Sequence, residues 1–331
     1  MSSYLYYPGC SLSGSARAYA ESLAAILEPL GIELREIEDW NCCGATEYLT
    51  LSPLRGQALI SRNLALAEAQ RDSSQTLVAP CSACYVNLAK TDRYFRENAG
   101  FRTRLNEVLA ADGLHYTPGA VRVRHLLEVL LEDVGLDAIA AAVTRPLTGL
   151  RVAPYLCCLV SRPDLDGRWT LHEEPRELDR LMAALGAEVV DFPARTACCG
   201  GHMTQISPDV AWELLRRVIE PADQAQADLL VTVCPMCQMN VDSYQGEMDR
   251  HLGLRYHMPI LFFTQLIGLA FGRPPETLGI GTEVVSAARA LARIGVEVPP
   301  PAEPPTEGGH EPRRQKRPSG LPMPEPLEVT R

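Results

Sequence analysis

The cysteines of this chain appear twice in the same order, and that doubling constrains the fold more than any other feature. Cys10, then Cys42-Cys43-Gly44, then Cys81-Ser82-Ala83-Cys84 occupy the first half. Cys158, then Cys198-Cys199-Gly200, then Cys234-Pro235-Met236-Cys237 occupy the second. Each half reads C…CCG…CxxC, with 32 and 40 positions between the first cysteine and the adjacent pair. Two copies at a long period indicate a duplicated domain, since a solenoid needs three or more short repeats. Of the 11 cysteines only Cys157 stands outside the pattern.

The surroundings repeat as well. SYLYYPGC (3–10) and LRVAPYLCC (150–158) read as short strands running into a cysteine. IELREIEDW (32–40) and AEVVDFPAR (187–195) read as strands leading to each pair. QTLVAPCSAC (75–84) and DLLVTVCPMC (228–237) read as a strand, then CxxC, then a helix. Between them, residues 16–31, 54–70 and 208–220 keep apolar residues at helical spacing. Alternating strands and helices predict an α/β fold with a small parallel sheet in each half. Every cysteine segment then falls at the carboxyl end of a strand, where open α/β sheets place their ligands.

The expected division is a first domain over 1–145 with a helical connector from 101, a second domain over 146–298, and a tail over 299–331. PILFFTQLIGLAFG (259–272) is the most apolar stretch; it is too short to span a bilayer and reads as a buried helix. The tail has ten prolines and few large apolar residues, the composition of a disordered segment. Its RRQKR (313–317) reads as a solvated charge run. A formal net charge of -10 argues against nucleic-acid binding. The N-terminus has no basic and apolar signal segment, so a cytoplasmic location without a membrane span is expected.

In a reducing compartment, many cysteines mean metal or redox chemistry. Zinc takes four thiolates from two CxxC-like pairs, but each half offers five cysteines and one CxxC. A dithiol redox site would use CxxC and leave the CCG pairs idle. Ordinary buried cysteines do not explain a repeated pattern. An iron–sulfur cluster presents several irons a few ångström apart, so adjacent thiolates can serve neighbouring irons or bridge them. Gly44 and Gly200 let the backbone turn tightly there. Iron–sulfur is the leading reading and zinc its alternative.

The residues YYPGCSLSGSARAYAESL, EDWNCCGAT, RNLALAEAQ, LVAPCSACYVNL, the Arg162-Pro163 of CCLVSRP, CCGGH and PILFFTQLIGLAFG resemble the B subunit of heterodisulfide reductase, a CCG-domain family. The likeness runs from residue 4 to about 272. It implies two CCG domains related by pseudo-twofold symmetry. It implies a noncubane [4Fe-4S] cluster in each: Cys10, Cys42, Cys43, Cys81 and Cys84 hold one, and Cys158, Cys198, Cys199, Cys234 and Cys237 the other. Cys157 stands where the family has glycine. Cys158 is the expected ligand because it lies four residues before Arg162-Pro163, and Cys157 is read as an inert substitution.

The resemblance further implies oxidoreductase chemistry on sulfur, with a disulfide between two one-electron clusters. Archaeal relatives reduce the mixed disulfide of coenzyme M and coenzyme B; bacterial relatives occur in sulfur-oxidising complexes, with thiol or lipoate-bound sulfur substrates. Implied partners are a ferredoxin-like [4Fe-4S] protein, the C-type subunit of such complexes, and a flavin-binding protein, their A-type subunit. The alternative is a non-catalytic electron-transfer subunit of a lactate, glycolate, glycerol-3-phosphate or succinate oxidoreductase. His202, directly after CCGG, is a candidate neighbour of the second cluster. His125 and Gln265 hold similar places before apolar helices and read as capping or packing residues. Trp40, Asn41 and Tyr85 read as packing around the first site.

Overall fold

The computed structural model describes residues 2–45, 48–71, 74–161, 165 and 175–298. Arg162-Pro163 and the 299–331 tail, with its basic run, lie outside the described residues.

Strands β1 (Ser2–Tyr6), β2 (Ile32–Glu36), β3 (Thr76–Ala79) and β4 (Arg122–His125) form one parallel sheet in the order β2-β1-β3-β4. Strands β5 (Arg151–Tyr155), β6 (Glu188–Val189), β7 (Leu229–Thr232) and β8 (Ile260–Phe262) form a second parallel sheet, ordered β6-β5-β7-β8. The two orders are the same, as a duplicated α/β domain requires. From β1 the chain moves outward to β2, then returns to pair β3 on the other side of β1, and β5 is flanked by β6 and β7 alike. The carboxyl ends of β1 and β3, and of β5 and β7, therefore border a topological switch point, where a crevice opens.

Apolar periodicity explains the flanking helices. Helix Arg17–Leu27 buries Tyr19, Leu23 and Ile26 on one face; helix Pro208–Gln224 buries Trp212, Leu215, Val218 and Ile219. The helices also tie the halves together. Helix Arg17–Leu27 packs on helix Phe263–Ala270 of the second half, and helix Glu177–Ala184 packs on Leu136–Ala141 of the first. Tyr19 stacks on Phe262 with ring centroids 4.5 Å apart, and the hydroxyls of Ser22 and Thr264 lie 2.7 Å apart.

Three readings of the sequence change. The 101–145 connector is not wholly helical, because residues 122–125 form β4. Arg124 hid that strand: it is buried and paired with Glu132 and Asp133, so the apolar pattern is broken by a compensated charge. Within 259–272 a strand, β8, precedes the helix; a short apolar run does not distinguish the two by periodicity. His125 and Gln265 are not counterparts. His125 ends β4 as Phe262 ends β8, and the backbone amides of these two residues donate to Glu128 (2.6 Å) and Gln265 (2.8 Å). Both His125 and Gln265 do cap helices, since His125 Nδ1 accepts from Leu127 N at 3.1 Å. Burial first of all lowers the His125 pKa to about 4, which leaves Nδ1 free to accept.

Candidate iron–sulfur centres

Cys10 follows β1, Cys42 and Cys43 follow β2, and Cys81 and Cys84 follow β3. Cys81 and Cys234 are the N-caps of helices Ser82–Glu97 and Pro235–Leu252. Gly44 (φ +66°) and Gly200 (φ +95°) turn the chain directly after each pair in a conformation that favours glycine.

In the first half the Sγ atoms of Cys10 and Cys42 lie 3.8 Å apart. The thiol of Cys43 is coupled to those of Cys42 and Cys84, and that of Cys84 to Cys81. In the second half the thiol of Cys158 is coupled to that of Cys198, and that of Cys237 to those of Cys199 and Cys234. Cys157 adds a further thiol, its Sγ within 4.8 Å of those of Cys234 and Cys237. The CxxC cysteines are buried, whereas Cys10 and Cys42 are exposed and Cys158 and Cys198 half-buried. Each set thus has a buried end and a more open end.

Crowding shifts neighbouring thiols in opposite directions. Cys42 is lowered, first by its hydrogen bond with Cys10, which raises Cys10 in turn. Cys234 is lowered, first by its hydrogen bond with Cys157, then by that with Cys237. A metal bound here would take these groups as thiolates and release their protons. The donors are thiols alone, and all are free cysteines rather than disulfides. That donor set fits an iron–sulfur cluster, and it exceeds what a single tetrahedral zinc takes.

Residues the sequence reading passed over hold the thiols in place. Tyr7 donates to Asn41 O (2.7 Å), and Tyr155 to Ala197 O (2.8 Å); each acceptor immediately precedes an adjacent pair. Burial, and then the surrounding thiols, raise the pKa of both phenols. Asn87 donates to Cys43 O (3.0 Å), and Asn240 to Cys199 O (3.3 Å), Cys199 Sγ (3.4 Å) and Gly201 O (2.8 Å). The signal was in the sequence as YxxC and CxxCxxN, each present in both halves. Asn240→Ala is expected to lower the unfolding free energy by about 1–3 kcal/mol, the cost of stranding buried acceptors. Asn87→Ala should cost less, because Asn87 is half-buried and supports one carbonyl. Denaturant melts of the two variants check the order, and a larger loss for Asn87 would refute it.

The other candidates are placed as follows. Asn41 donates to Cys42 O and Leu59 O, both at 2.9 Å, and its own backbone is clasped by Asn63. Trp40 packs edge-on to Tyr7 and donates to Glu36. Tyr85 packs edge-on to His125. His202 is half-buried at the N-cap of helix Met203–Ile206.

The two sets approach each other through Tyr19. Its buried hydroxyl donates to Pro80 O (3.2 Å) and to Val233 O (3.5 Å), the residues immediately before Cys81 and Cys234. The same side chain therefore ties the two CxxC segments together. No helix among the described residues is long and apolar enough to cross a membrane.

Comparison with known proteins agrees with this geometry. Residues 4–89 and 152–242 match the CCG family, described as a cysteine-rich domain. The chain is similar to the 8-methylmenaquinol:fumarate reductase membrane anchor subunit of Wolinella succinogenes, 34% identical over 86% of this chain and 98% of that protein. It is similar to the B subunit of the ferredoxin:CoB-CoM heterodisulfide reductase of Methanosarcina mazei, 28% identical over 86% of this chain and 95% of that one. A crystal structure of a hypothetical protein from Helicobacter pylori shares the fold, with a TM-score of 0.68 at 14% identity, covering 86% of this chain and 52% of that one. With two matched cysteine-rich regions on two identically ordered sheets, the chain belongs to the CCG cysteine-rich-domain family that includes the B subunit of heterodisulfide reductase.

Proposed function

We propose that each half holds one noncubane [4Fe-4S] cluster through its five repeated cysteines, and that the two centres act together on one disulfide or dithiol. The observation that carries this reading is the Tyr19 hydroxyl shared between the carbonyls of Pro80 and Val233, which brings the two CxxC segments to a common point. Splitting an S–S bond takes two electrons and two protons and releases two thiols; the reverse reaction forms the disulfide. Each cluster supplies or accepts one electron when bound. The chain's own residues orient the thiolates, through Tyr7, Asn41 and Asn87 in one half and Tyr155 and Asn240 in the other. The buried CxxC ends exclude water, and the open ends at Cys10-Cys42 and Cys158-Cys198 give access. Electrons come from, or pass to, a partner protein that bears an iron–sulfur cluster or a flavin.

A second reading is favoured by one observation: the Wolinella relative is named a membrane anchor subunit of a quinol:fumarate reductase. On that reading the chain passes electrons within a complex and performs no sulfur chemistry. Metal analysis of anaerobically purified protein tests what both readings share. About eight irons per chain with matching acid-labile sulfide are expected for two four-iron clusters. Stoichiometric zinc without iron would end both.

A further inference from the structure

Cys157 occupies the place of Gly9. Each residue directly precedes the first repeated cysteine of its half, and each has φ +73°. That left-handed conformation is natural for glycine and uncommon for a residue with a side chain. At Gly9 a side chain would crowd the first set, because a Cβ there would lie 2.9 Å from Cys84 Sγ. At the equivalent place the second half carries a side chain, and it is a thiol. Cys157 is fully buried, and its Sγ lies within 4.8 Å of both Cys234 and Cys237, the pair equivalent to Cys81 and Cys84. Its backbone is held on both sides: Cys157 N donates to Arg195 O (3.1 Å), and Ser161 Oγ donates to Cys157 O (3.1 Å). The thiol is therefore directed into the donor set by a constrained backbone.

We infer that Cys157 is a sixth thiolate ligand of the second centre, which makes the two centres unequal. The inference rests on the proposal that these thiols hold iron–sulfur clusters, and it replaces the expectation that Cys157 is an inert substitution. On binding, the Cys157 thiol gives its proton to solvent and an iron–sulfur bond forms, with no change of oxidation state. The added thiolate gives the second centre one more negative charge than the first, and extra negative charge lowers a cluster's reduction potential. Reducing equivalents then settle on the first centre before the second.

The test compares anaerobically purified wild type with Cys157→Gly and Cys157→Ser by iron content and by EPR-monitored redox titration. A Cys234→Ser variant identifies which signal belongs to the second centre. Glycine suits φ +73°, so Cys157→Gly is expected to fold and to keep its iron through the five remaining cysteines. Its second-centre signal should change shape and its midpoint potential should rise toward that of the first centre, with the first-centre signal unmoved. Cys157→Ser should shift the same signal. Spectra and potentials identical to wild type in both variants would overturn the inference while leaving the two clusters in place. Wild type lacking iron would instead overturn the cluster reading, and this inference with it.

Discussion

Replacing either Cys81 or Cys234 with serine is expected to remove about four of the irons and to abolish disulfide turnover, equally in both variants. Each residue is the buried N-cap of a long helix directly after a central strand. Neither cysteine side chain makes a cap hydrogen bond, and serine is a favoured N-cap residue, so the fold should survive while the soft thiolate that iron prefers is lost. If the two centres share one disulfide, a single remaining centre offers one electron where two are needed, and turnover should fall to background whichever half is damaged. The assay uses an artificial electron carrier, a candidate disulfide and iron analysis to verify that the undamaged half keeps its cluster. Substantial turnover by either variant would rule out the paired mechanism and favour the electron-relay reading.

Tyr19 should give the largest stability effect of any single side chain in the contact between the halves. Tyr19→Ala is expected to cost about 3–5 kcal/mol, because it empties a fully buried aromatic site lined by Phe262 and Phe263. Tyr19→Phe keeps the rings stacked and removes only the hydroxyl. It should cost about 1–3 kcal/mol by leaving the buried carbonyls of Pro80 and Val233 without their shared donor. Burial, followed by the nearby Cys81, Tyr6 and Cys234, raises the Tyr19 pKa well above its ordinary value, so the phenol remains a donor at any working pH. Denaturant unfolding of cluster-loaded protein separates the two contributions. A phenylalanine variant as stable as wild type would show that the hydroxyl is no tie between the CxxC segments, and would remove the observation on which the paired reading rests.

The placement of the cysteines after strands was legible in the sequence because its information is local. A cysteine directly after a β-strand is recognisable from a few residues, and six strands in repeated order assign their ends to two sites without any knowledge of packing. The supporting residues were also legible, as Tyr three positions before Cys10 and Cys158 and Asn three positions after Cys84 and Cys237, once the repeat is followed past the cysteines. Strands β4 and β8 were not legible. One carries a buried Arg124 whose charge is cancelled by Glu132 and Asp133, and the other is three apolar residues joined to an apolar helix.

The sequence by itself determined a duplicated α/β chain with its cysteines at the carboxyl ends of strands, since both follow from residue type and spacing. Only the tertiary structure decided which thiols meet. Cys157 and Cys158 are adjacent, yet one lies with Cys234 and Cys237 and the other with Cys198. The difference comes from a left-handed backbone held by Arg195 and Ser161. Likewise, Tyr19 is an ordinary apolar-face residue of a helix until folding brings Pro80 and Val233 to its hydroxyl across 61 and 214 positions of chain. Such contacts are set by how two sheets and their exchanged helices pack, and no local pattern encodes them.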